Sequence, residues 1–478
     1  MAISSYTPSG KDFTQKVIGA ENYLDIQDNG WAQQYLPDLM EKEAEVFGKR
    51  TISGFLSQVS AEEAMSADQV IWSEQGRLHL AYECTMTDVT ASTIAISKTM
   101  DGVAQTTDHG VRVGDMVLIA GGGQTVTARV SVAAASSAAI TVTPYGYAHM
   151  TNAGFVDGDD TCKLLVFGSE FGKGTNNQTR ANKPVFTSHT NKPIIIKDMY
   201  EVSGSDAAQV GWVEVSGEDG QNGYYWYLKA AGDTKARFND YLEMVCIESE
   251  KTVDASVLDT GGGDTGADLG GTEGLFKAIT SRGHQSSGIT GVNAATDLAE
   301  FDAMLAAFDE NGAIEENMVF VNRATALAID DMLASMNSYG AGGTSYGVFN
   351  NSEDQALNLG FSGFRRGSYD FYKSDWKYLN DKQTRGGINA AATGGEAIRG
   401  AVIPAGTSSV YDQSMGKNIK RPFLHVRYRA SNLESRKNKS WVTGSVGATT
   451  SDLDAMTMNF LSERCMVVQG ANNFCLLN

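Results

Sequence analysis

MVFVNRATALAIDDML, residues Met318 to Leu333, runs an apolar strand directly into a helical stretch, and its reading decides the class of the domain around it. Met318 to Asn322 is a short apolar run closed by asparagine, as a buried strand would be, and helical spacing resumes from Ala324 to Met336. Upstream, Asp297 to Phe308 places Leu298, Phe301, Leu305 and Phe308 on one helical face. Alternation of helix and strand predicts an α/β domain, which we bound at residues 257–400.

Outward from that domain the pattern changes. The text TGGGDTGADLGG, Thr260 to Gly271, is a glycine-rich connection. Before it, Tyr224, Leu228, Ala231, Phe238, Leu242 and Val245 share one face of a stretch over 224–251, long enough for a helical strut of about 40 Å. Gly232 and Lys235 are expected to interrupt it. Further upstream, Val70 to Tyr82 (VIWSEQGRLHLAY) and Lys183 to Tyr200 each predict a strand, and together they frame an insertion over 85–167. Inside the insertion, VRVGDMVLIAGGGQTVTARVSV alternates through Val111, Val113, Met116 and Leu118, turns at Gly121 to Gly123, and resumes at Val126, Val130 and Val132. AAITVTPY adds another short strand. Strands this short and this evenly spaced predict a small β barrel or sandwich. Near the amino terminus, Trp31 to Phe47 suits helical pieces broken by Pro37, and a further helix is expected over Ser60 to Val70. After residue 400 the text is strand-like again: GAVIP, PFLHVRYRA and the terminal MVVQGANNFCLLN.

Charge divides the chain. It carries 38 Lys and Arg against 57 Asp and Glu, a net −19. Between Phe361 and Trp441, however, fifteen basic residues face six carboxylates, a net +9, which leaves the rest of the chain near −28. Opposite signs on one polypeptide steer association and fix register, so the chain is expected to meet copies of itself. Arg365, Arg366, Lys420, Arg421, Arg427, Arg429, Arg436 and Lys437 are the candidate basic surface. Glu41, Glu43, Glu45, Glu62 and Glu63 are the candidate acidic partner surface on a neighbour. The alternative is that the basic residues neutralise carboxylates of their own domain. A strongly acidic total argues against a general nucleic-acid-binding enzyme.

Catalytic motifs are weak throughout. GSEFGKGT, Gly168 to Thr175, has one residue too few between its first glycine and Gly-Lys to curl around phosphates. The six histidines never fall at metal-ligand spacing, and Asp259, Asp264 and Asp268 lack the twelve-residue calcium-loop pattern. Tyr224 to Leu228 (YYWYL) opens an amphipathic helix, which favours packing over base stacking. Five scattered cysteines without C-x-x-C spacing are expected to be reduced and mostly buried. No catalytic residue, cofactor or metal is expected. The opening MAISSYTPSGKDF has no apolar core of signal-peptide length, and no run approaches the ~18 apolar residues of a membrane span, so synthesis and assembly in a cytoplasm are expected.

In order, the elements resemble the major capsid proteins of tailed bacteriophages with the Hong Kong 97 fold. The local strings that carry the resemblance are MVFVNRATALAIDDML, GAVIPAGTSSVYDQSMG and MVVQGANNFCLLN. The resemblance implies an α+β capsid fold. Its parts would be an N-terminal arm with helices (1–69), an extended loop (70–84 and 168–200), an all-β insertion domain (85–167), a peripheral domain (201–256 and 401–478) with its spine helix (224–251), and an axial domain (257–400). It further implies hexamers and pentamers in an icosahedral shell around double-stranded DNA, portal and scaffolding partners, auxiliary capsid proteins, and location in the virion after assembly in the host bacterial cytoplasm. The short preface before Trp31 implies a separate scaffold. Another self-assembling or surface structural protein is the alternative, and an α/β enzyme the third reading.

Overall fold

The computed structural model describes residues 52–178, 180–182, 186–205, 225–252, 270–287, 294–311, 314–336, 363–392, 397–405, 407–412, 417–445 and 450–478. Expected helices within Trp31 to Phe47 lie outside these residues. In chain order the described part begins with α1 (Phe55–Val59), β1 (Ala61–Met65) and β2 (Val70–Gln75). Six strands follow: β3 (Ala81–Asp88), β4 (Thr93–Thr99), β5 (Asp115–Gly121), β6 (Gln124–Ala133), β7 (Ala139–Pro144) and β8 (Cys162–Ser169). Next come β9 (Phe186–Asn191), β10 (Ile194–Ser203), α2 (Tyr225–Glu248), α3 (Leu275–Arg282), β11 (His284–Ser286), α4 (Ala294–Asn311), β12 (Glu316–Val321) and α5 (Arg323–Met336). After them are β13 (Gly363–Arg366), β14 (Tyr369–Asp375), α6 (Lys377–Asn380), α7 (Arg385–Asn389), β15 (Gly400–Pro404), β16 (Thr407–Asp412) and β17 (Lys417–Pro422). The chain closes with β18 (Leu424–Arg429), β19 (Lys439–Gly444), β20 (Ala455–Val468) and β21 (Cys475–Leu477).

The chain divides into two compact units, Ser73–His189 and the remainder. In the first, β3-β4-β7-β6-β5-β8 close into a barrel. Closure follows from strict alternation: β5 buries Asp115, Val117 and Ile119, and β7 buries Ile140, Val142 and Pro144, while the residues between are more exposed. The inward residues, among them Ile94, Ile96, Val130 and Leu164, form one core. Because β3 begins at Ala81, the barrel takes in residues expected in the loop arm. The expected single strand over Val70 to Tyr82 is instead two, β2 and β3, parted at Gly76–Leu80.

The other unit is assembled from distant segments. A six-stranded mixed sheet runs β11-β21-β15-β12-β14-β13. Its two faces serve two cores, since side chains alternate along a strand. Val319, Val321, Val402, Cys475 and Leu477 meet α4 and α5 through Phe301, Phe308 and Ile329. Phe320, Ala401, Ile403 and Leu476 face the larger core, with Phe55, Phe276 and Trp376. There Phe55 stacks on Trp376 at 4.2 Å and meets Phe320 edge-on at 4.8 Å.

A five-stranded sheet has the order β1-β18-β20-β10, with β19 also on β20. The helix α2 packs on it through Phe238 and Leu242 against Phe460. Gly232 and Lys235 do not interrupt α2. Ser60 to Val70 is not a helix: Ala61–Met65 pairs in parallel with Leu424–Arg429, and that ladder outweighs the helical preference of AEEAM. Gly444 ends β19 at φ 125°, and a Cβ there would lie 1.8 Å from the Ala455 carbonyl oxygen. Only glycine fits. Among the described residues no helix is long and apolar enough to cross a membrane.

Candidate assembly surface

Strand pairing decides where the basic residues sit. The parallel ladder of β1 and β18 puts Glu63 opposite Arg427, and their side chains pair at 2.8 Å, both mostly buried. Glu62 pairs with Lys437, whose ammonium also lies 5.2 Å from the Tyr428 ring centroid. Arg429 pairs with Asp68 at 2.5 Å and reaches Glu463 at 3.9 Å, while Arg436 pairs with Glu463 at 3.0 Å. The Asp68 hydrogen bond raises the pKa of Arg429. A basic strand thus lies between acids of β1 and β20. Glu62 and Glu63 were expected to face these cations across two copies; here the β1–β18 ladder brings them together within one.

Earlier in the sequence, Arg365 and Asp370 are register partners on β13 and β14, 3.6 Å apart. Arg366 forks onto Asp302 of α4, and that bond holds the Asp302 carboxyl below its usual range. Arg385 pairs with Glu248 at 2.7 Å at the end of α2. Lys420 and Arg421 lie on β17 of the β16–β17 hairpin, apart from the sheet that holds Arg427. Glu41, Glu43 and Glu45 lie outside the described residues.

Another surface was not anticipated from the sequence. Asn459 of β20 pairs with Met199 on one side and Trp441 on the other. Leu461 likewise pairs with Lys197 and Lys439. Residues opposite one another in a ladder share a face, so Met199, Trp441, Lys197 and Lys439 belong to one side of the sheet, with Ile195 next in register opposite Glu463. The side bearing Ile196, Met458 and Phe460 packs on α2. On their own side the flanking strands are exposed, while Leu461 and Glu463 of the central strand between them are buried. Ile195 is 52% exposed, Met199 51% and Trp441 37%, and the Lys439 ammonium sits 5.5 Å from the Trp441 ring centroid. A signal was available in IIIKDMYEVS, which alternates along β10. Its face could not be assigned before its partner strand was known.

Beside the ion pairs, an open cavity of about 500 Å³ is lined by Ser53, Ser57, Glu62, Glu243, Lys437 and Arg464. Two carboxylates of α2 hold the chain there. Asp240 accepts the N–H groups of Ile52 and Ser53 at 3.1 and 3.0 Å, and Glu243 accepts that of Gly54 at 2.6 Å. Burial raises the pKa of both. The arrangement anchors the entry to α1. Among the described residues, no group of three or more His, Cys, Asp or Glu is placed to hold a metal ion.

No protein-family profile matches the chain, and no curated protein resembles it in sequence. Among solved structures it is similar to one from Microbacterium phage Oxtober96, at 10% identity and a TM-score of 0.39, over 95% of this chain and 99% of that one. A structure from Mycobacterium phage Ogopogo is similar at 11% identity and a TM-score of 0.40, over 95% and 98%. The capsid structure of cyanophage P-SCSP1u is similar at 11% identity and a TM-score of 0.35, over 66% and 80%. Likenesses this distant leave the functional reading to the chain's own geometry.

Proposed function

We propose that the chain is the major capsid protein of a tailed bacteriophage, self-assembling into the icosahedral shell that encloses double-stranded DNA. The observation that carries the reading is the open side of the five-stranded sheet, where Ile195, Met199 and Trp441 are substantially exposed between Lys197 and Lys439. Apolar side chains beside Lys197 and Lys439, the latter also paired with Glu434 of its own chain, on a chain of net charge −19, suit a surface made to be covered by another copy. The order of elements supplies the class. In it β2 and β9 would be the arms of the extended loop, α2 the spine, the five-stranded sheet the peripheral domain, the six-stranded sheet the axial domain, and the barrel an insertion.

The intramolecular pairs narrow the part played by the basic residues. Arg427, Arg429, Arg436 and Lys437 set the register of β18 within its own chain, and Arg365, whose side chain is 55% exposed, is freer to reach a neighbour's carboxylate. An acidic lining would let duplex DNA slide during filling, because each phosphate contact adds affinity that salt must break. Portal and scaffolding proteins would be its partners, and the role is structural, without catalysis.

Light scattering and electron microscopy of the purified protein, with and without a scaffold, test the proposal. Rings or closed shells are expected. Monomer at every concentration and salt would overturn it.

A further inference from the structure

The barrel holds two thiols for which shell building has no use. Cys84 on β3 and Cys162 on β8 are direct register partners in an antiparallel ladder. Both are wholly buried and both are free. Opposed residues of such a ladder have Cα atoms about 4.5 to 5.5 Å apart, inside the ~4.4 to 6.8 Å that a disulfide spans. The Cys162 Sγ at present lies against Gly121 of β5, where a Cβ would stand 2.4 Å from it. Turning it toward Cys84 is therefore a rotamer change, with the strands already at bonding separation.

We propose that Cys84 and Cys162 form a latent disulfide site, closed when the protein meets an oxidising thiol–disulfide environment. The co-reactant is a low-molecular-weight disulfide. Either protein thiolate attacks it, expelling one thiolate and leaving a mixed disulfide; the second protein thiolate then attacks the protein sulfur of that bond, expelling the other. Two protein thiols are oxidised, one small disulfide is reduced to two thiols, and the protons pass to the leaving thiolates.

Position gives the bond its effect. β3 and β8 are the first and last strands of the barrel, so the link ties its entry to its exit and encloses residues 84–162, most of the barrel's span from Ala81 to Ser169. It would be absent in a reducing cytoplasm and formed outside it. Burial first, with the Asp159 carboxylate adding to it, pushes the Cys84 thiol up to about 12 and the Cys162 thiol up to about 11. Reaction in the closed barrel is accordingly slow and proceeds through local opening of the β3–β8 ladder. The inference stands apart from the capsid reading.

The test uses the full chain equilibrated with oxidised glutathione at mildly alkaline pH, then alkylated under denaturing conditions and mapped by mass spectrometry. A peptide pair joined through Cys84 and Cys162 is expected, reversed by dithiothreitol. Proteolysis within the barrel should slow at least about tenfold. The wild type alone decides the matter: free thiols at equilibrium, glutathione adducts only, or a link involving Cys246, Cys465 or Cys475 instead would overturn the proposal. Cys84→Ser and Cys162→Ser should each abolish the linked pair.

Discussion

The barrel draws all six strands from Ala81–Ser169, whereas the five-stranded sheet collects strands from Ala61–Met65, Ile194–Ser203 and three stretches after Leu424. Closure removes strand edges and gives the barrel a core that needs no other part of the chain. The sheet has edges at β1, β10 and β19 and, on the side away from α2, exposed Ile195, Met199 and Trp441. A unit closed on itself can be inserted or removed. The sheet draws its strands, and the charged partners along them, from far along the chain.

The comparison breaks most severely at the carboxyl-terminal strand. β21 pairs with both β11 and β15, and Cys475, Leu476 and Leu477 are buried in two cores. Deleting Cys475–Asn478 should abolish the cooperative melt of the larger unit while the barrel keeps its β signal by circular dichroism. Residues 73–189 expressed alone should likewise melt cooperatively. A disordered fragment would show that the barrel's core is insufficient.

Core truncations sharpen the contrast. Phe371→Ala, at a wholly buried position on β14, should cost about 3 to 5 kcal/mol, and Ile119→Ala in the barrel about 2 to 5 kcal/mol. Hydrogen exchange should confine each loss to its own unit. Ion pairs come next. Arg427→Glu sets like charges side by side on β1 and β18 and should cost about 2 kcal/mol in chemical denaturation, with Glu63→Arg recovering much of it.

The smallest effect is one of pH. A raised carboxyl pKa means that the folded state binds more protons than the unfolded one, so stability falls as pH rises through that window. Glu243→Gln keeps an acceptor for the Gly54 N–H and removes the titration. Its stability advantage over wild type should therefore grow as pH rises from the ordinary glutamate value of 4.5 toward neutrality. A constant difference across that range would show that Glu243 titrates normally.

What could be read in the sequence follows the same division. The alternation of Val111 to Val132 becomes β5 and β6, the Tyr224 periodicity becomes α2, and Met318 to Met336 becomes β12 and α5, because each depends on neighbours close in sequence. AEEAM reads as helical on its own because the strand it pairs with lies more than 350 residues away. The same distance hid the pairing of Glu63 with Arg427, and the face of Met199 and Trp441 emerged only with the register of β20.

That open face carries the central claim. Lys197→Glu, Lys439→Glu and Trp441→Ala combined leave the α2 side and its core untouched, so particle formation by electron microscopy can be compared directly with the melting curve of the same sample. The account predicts shells from wild type and, from the folded variant, only small species. Shells from the variant equal in number and shape to those of wild type would contradict it.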